Sequence, residues 1–136
     1  MSRVIHIDSA GKERTRLLKT VVLALRELML QKQANELSCD LVAYVCLALD
    51  EINKSIDSSV EAWEKRGYWL KADRFRLEWE WTGTVSSELR KSLLAQDWAT
   101  IALLSAKIAQ KLMKIDVPAR HRLGTPWIGA WALVKK

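Results

Sequence analysis

A chain of 136 residues, 49% hydrophobic and 28% charged, is long enough for one domain with its own core and too apolar for a disordered segment. Its five glycines and two prolines leave few turns, which disfavours a β-rich fold and favours long helices. The formal charge of +6 lies wholly in residues 98–136, where seven Lys or Arg face one acid, while residues 1–97 carry 15 of each sign.

The opening Met-Ser-Arg-Val-Ile-His-Ile-Asp lacks the apolar core of a signal peptide. No uncharged run approaches the roughly 18 residues that span a bilayer, the longest including 41–49 and 123–134. These features predict a cytoplasmic protein with no transmembrane segment.

Residues 3–8 are β-prone and predict a short N-terminal arm. A first helix follows over about 12–34, with Leu17, Leu18, Val21, Leu25, Leu28 and Met29 on one stripe. Asn35 is its expected stop and Ser38 the expected cap of the next helix. That second helix, over 38–66, repeats Val42, Val45, Leu49, Ile52, Ile56 and Trp63 at a spacing near 3.5, the pattern of a bundle seam. Ser58 and Glu61 fit a capping box within it, but a continuous helix broken at Gly67 is the better reading.

The third helix, over 68–95 with an interruption at Thr82-Gly83-Thr84, carries two apolar stripes. Tyr68, Ala72, Phe75 and Trp79 form one; Leu70, Leu77, Trp81 and Val85 form the other. Trp79 and Trp81 stand roughly 200° apart on a straight helix and are not expected to share one core. A fourth helix over 97–115 is capped by Asp97 and stopped by Pro118, and its outer face bears Lys107, Lys111 and Lys114. Residues 117–136 form a basic tail containing Trp127 and Trp131, expected to pack on the bundle of residues 1–116. The predicted fold is all-α, a four-helix up-and-down antiparallel bundle with a short arm and a tail. Pairs at i,i+4 (Asp50–Lys54, Glu61–Lys65, Arg74–Glu78, Arg76–Glu80) mark its solvated faces.

Chemistry-bearing patterns are sparse. Cys39 and Cys46 lie about 10 Å apart along a helix, beyond disulfide reach, and read as buried thiols. There is no Glu-x-x-His and no Cys-x-x-Cys, and the two histidines, His6 and His121, fall in the terminal segments. Ser9-Ala10-Gly11-Lys12 ends like a phosphate loop, yet His6 occupies the first glycine position and Glu13 the required hydroxyl. A carboxylate metal site drawn from Glu36, Asp40, Asp50 or Glu51, or His6 acting as a base, is a minor reading. No catalytic, cofactor or metal residue is assigned.

The leading functional expectation is a non-enzymatic interaction module, a homo-oligomer or binder of a protein partner. Its contact would be the stripe Leu70, Leu77 and Trp81, or the tail residues Trp127 and Trp131. A second is nucleic-acid binding through Lys107, Lys111, Lys114, Arg120 and Arg122, enlarged if the basic segment Arg3, Lys12, Arg14, Arg16 and Lys19 lies alongside. An enzyme or metal protein built on helix carboxylates comes third. Peripheral membrane contact through Trp127, Trp131, Lys135 and Lys136 ranks lower still.

Overall fold

The nine uncharged residues from Leu41 to Leu49 lie in the first half of the longest helix and fix where the core sits. The computed structural model describes residues 2–136, with side chains from residue 11 onward. Its elements are α1 (Ser2–Leu30), α2 (Glu36–Lys65), α3 (Trp69–Trp79), α4 (Trp81–Leu94), α5 (Trp98–Lys111) and the short α6 (Ala130–Val134). The protein is all-helical, with no strand among the described residues. Residues 3–8 are therefore not a β-prone arm but the first turns of α1.

Helix α2 is the centre of the molecule, packing against α1, α3, α4 and α6. From Leu41 to Val60 its buried side chains include Leu41, Val42, Ala43, Val45, Cys46, Ala48, Leu49, Ile52 and Ile56. They cover about 220° of the helix circumference, much more than a narrow seam. A helix apolar on so many sides must be surrounded, and this one is. Each fully buried Leu or Ile there contributes about 1.5–3 kcal/mol.

Polar contacts fix the directions of the neighbours. Thr20 Oγ1 meets the Tyr44 hydroxyl at 2.7 Å, and Arg14 reaches Ser55 and Ser59, so α1 and α2 are antiparallel. Ser86 donates to the Cys46 carbonyl at 2.9 Å and to Asp50 at 2.6 Å, while Arg90 pairs with Asp50 at 3.0 Å. Gln96 lies against Cys39, so α4 also runs antiparallel to α2.

Several local features differ from expectation. Helix α1 ends at Leu30, and Asn35 is the N-cap of α2, its Oδ1 accepting from the Ser38 N–H at 2.8 Å. Ser38 sits inside the first turn and is buried. The second helix is continuous, as expected: the Ser58 hydroxyl folds back to the Lys54 carbonyl and α2 continues to Lys65. Gly67, at φ +80°, then makes the left-handed turn.

The third helix breaks at Glu80 rather than at Thr82-Gly83-Thr84. Buried Thr82 donates its hydroxyl to the Trp79 carbonyl at 2.8 Å, a back-bond that bends helices. Gly83 lies inside α4 for another reason: a Cβ there would stand 2.9–3.1 Å from the Asn53 side chain. It lets α4 approach α2. Of the four expected i,i+4 ion pairs, Glu61–Lys65 forms; Asp50 turns to Arg90, Lys54 to Glu51, and Arg76 to Asp73 and Glu64.

Candidate interaction surfaces

Helix α3 packs its Ala72, Phe75 and Trp79 side on α2 and leaves the opposite side to solvent. Phe75 meets Trp63 edge to face at 4.9 Å, and Lys71 lies over the Trp63 ring at 4.7 Å. On the outward side Leu70 is 65% and Leu77 62% exposed, flanked by Trp69 at 64%. Seven residues apart, Leu70 and Leu77 point within about 20° of each other. The two apolar stripes are thus divided: Ala72, Phe75 and Trp79 of one pack inward while its Tyr68 stays exposed, and Leu70 and Leu77 of the other face outward.

Trp81 and Val85 follow the inner packing. Trp79 ends α3 and Trp81 starts α4, and across this break the indoles stack at 6.5 Å with 25° between their planes. Both rings are half-buried against the core, contrary to the expectation from a straight helix. Lys111 lies 6.0 Å above the Trp81 ring, which ties the end of α5 to the start of α4.

The tail also packs inward. Trp127 is 6% exposed, and Trp131 is half-buried, its N–H donating to Asp40 at 2.9 Å. Earlier in the tail, the Val117 carbonyl accepts from Arg26 at 3.0 Å. Leu123 then borders an open cleft with Gly11, Lys12, Arg14, Arg16 and Lys19. This brings the segment holding Arg120 and Arg122 beside the basic stretch of α1.

Not every cation in that stretch is free. Arg14 donates to Ser55 Oγ at 3.0 Å and Ser59 Oγ at 3.1 Å and sits 5.2 Å from the centre of the Phe75 ring. Loss of solvent pulls its affinity for the proton below the ordinary arginine value. Arg16 is ion-paired with Glu13, whose carboxyl that hydrogen bond holds below its usual range. Lys12, Lys107, Lys114, Arg120 and Arg122 are exposed and Lys19 is half-buried; none of them makes a salt bridge among the described residues. The side chains of Arg3 and His6 lie outside the described residues.

No family model, curated protein or solved structure matches the chain. The molecule's own chemistry is therefore the guide. No group of three or more His, Cys, Asp or Glu suited to a metal ion occurs among the described residues. Three of the four carboxylates considered from the sequence have other partners: Asp40 holds Trp131, Asp50 holds Ser86 and Arg90, and Glu51 pairs with Lys54. Both cysteines are buried and free, and burial pushes the Cys46 thiol up to about 12. Among the described residues no helix is long and apolar enough to cross a membrane.

The sequence does not reveal that Trp127 is interior and Leu70 exterior. Gly124 and Gly129, at φ +71° and +85°, are the local signal that the tail turns back on itself.

Proposed function

We propose that this protein is a non-enzymatic helical interaction module that self-associates through the outward face of α3. The antiparallel pairings support reading α1, α2, α3–α4 and α5 as an up-and-down bundle, with the tail as a lid on α2. The observation that carries the function is the joint exposure of Trp69, Leu70 and Leu77 on a helix whose other side already fills the core. Large apolar side chains clustered this way mark contact surfaces. The face is also self-complementary: an antiparallel pairing that sets Leu70 against Leu77 of a second copy sets Asp73 against Arg74.

Light scattering and sedimentation over a wide concentration range test this reading. Wild type should associate, and the double variant Leu70→Asp/Leu77→Asp should be monomeric with an unchanged helical spectrum. A wild type that stays monomeric at high concentration overturns it.

A second reading, nucleic-acid binding, is favoured by one observation: Leu123 lies with Lys12 and Lys19 and so brings Arg120 and Arg122 alongside α1. A protein contacting several phosphates loses affinity steeply between about 50 and 200 mM salt. Charge reversal at Lys111 and Lys114 should weaken such binding for every sequence alike. Oligonucleotides that fail to bind at low salt remove this reading.

A further inference from the structure

The tail crosses α1 along the helix's most basic edge. Lys12, Lys19 and Arg26 are spaced seven residues apart, so they project within about 40° of one another. At one end of this edge Arg26 donates to the Val117 carbonyl at 3.0 Å; at the other, Leu123 borders the cleft that Lys12 and Lys19 line. Arg120 and Arg122 fall between those two contacts and are exposed. The Leu123 N–H donates to His121 Nδ1 at 3.2 Å, a turn that holds this part of the tail in shape.

The cleft under Leu123 has a volume of about 650 Å³, and no acidic side chain lines it among the described residues. Arg14 turns away from it to Ser55 and Ser59, and Arg16 is balanced by Glu13. Lys12, Lys19, Arg120 and Arg122 have no carboxylate partner among the described residues. Like charges gathered by packing repel, and a multivalent anion between them reverses the sign of that term. Leu123 is the one large apolar side chain in the lining, so apolar burial contributes little and charge must hold the ligand. Compounds with several phosphate groups concentrate the most negative charge in a small volume, and their oxygens suit both Arg and Lys. The cleft volume is that of a small-molecule site.

We propose that this cleft binds a small polyphosphate, whose oxygens bridge Lys12 and Lys19 of α1 to Arg120 and Arg122 and clamp the tail onto the helix. The site does not rest on self-association through α3 or on nucleic-acid binding, which would also use the cations of α5.

Calorimetry with orthophosphate, pyrophosphate and triphosphate at about 50 mM salt, where screening is weak, tests the proposal. Affinity should rise at least about threefold with each added phosphate, because each engages a further cation. Lys12→Glu/Lys19→Glu and Arg120→Glu/Arg122→Glu should each weaken triphosphate by about tenfold or more. Lys12→Ala/Lys19→Ala, a milder change that suits a helix, should weaken it in the same direction. Lys91→Glu/Lys107→Glu makes the same change in net charge on α4 and α5 and should leave affinity within about twofold. Triphosphate should also slow trypsin cleavage after Arg120 and Arg122 in wild type but not in Lys12→Glu/Lys19→Glu.

No triphosphate binding by wild type, equal affinity along the phosphate series, or an equal loss in Lys91→Glu/Lys107→Glu would overturn the proposal. So would an oligonucleotide that binds where triphosphate does not, which would sustain the nucleic-acid reading instead. Triphosphate binding with no oligonucleotide binding would support the cleft and remove only that reading.

Discussion

The backbone N–H of Trp131 donates to the carboxylate of Asp40 at 2.9 Å, across 91 residues of sequence. This bond fastens the tail to the first turns of α2 and holds Trp127 in the interior. A hydrogen bond to a charged acceptor contributes about 1.5–3 kcal/mol. Asp40→Ala should therefore loosen the tail. Trp fluorescence should shift to the red as Trp127 meets water, and trypsin should cleave faster after Arg120 and Arg122. Unchanged emission and cleavage would show that packing of Trp127 alone holds the segment.

Asn35 caps α2 from an extended backbone and accepts from Ser38 at both its N–H (2.8 Å) and its hydroxyl (3.0 Å). Asn35→Ala leaves these donors without that partner at the start of the central helix. A loss of about 1 kcal/mol in urea unfolding is expected. Asn35→Asp, which keeps the acceptor and adds a negative charge at the positive end of the helix, should be neutral or stabilising.

Cys46 is fully enclosed between α2 and α4, and desolvation disfavours its thiolate. In the native protein it should resist thiol-labelling reagents at neutral pH, reacting only as the molecule unfolds. Timed labelling with mass spectrometry reads this directly. Rapid native-state modification of Cys46 would mean that α4 detaches from α2 on a short timescale.

Asp97 caps α5 and accepts from both the N–H and the hydroxyl of Thr100, at 3.2 Å and 2.6 Å. Those bonds lower its affinity for the proton below the ordinary aspartate value of 3.8. A carboxyl depressed in the folded state supports the fold fully above that value, and the support fades as pH falls through its lower folded value. Asp97→Asn keeps an acceptor that does not titrate, so its urea midpoint should fall less between pH 5 and about pH 2.5 than that of wild type. Parallel falls in the two proteins would show that other carboxylates dominate acid unfolding.

By itself the sequence determined the class of the fold and much of its punctuation. Few glycines and prolines, apolar periodicity and the uncharged run 41–49 require helices, and Gly67 and Asp97 act locally, through backbone conformation and capping. Such signals are legible because each depends on neighbours a few residues away. Tertiary structure alone decided which sides of α3 and α4 are inside. Leu70 and Val85 belong to the same sequence stripe, yet they fall in two helices separated at Glu80, and Leu70 is exposed while Val85 is buried. Across the same break Trp79 stacks on Trp81, although a straight helix would set them roughly 200° apart. Likewise, the burial of Trp127 depends on how the tail meets α2, a contact between residues 91 apart in sequence. Periodicity records the angle around one helix axis; it carries no record of how two axes cross.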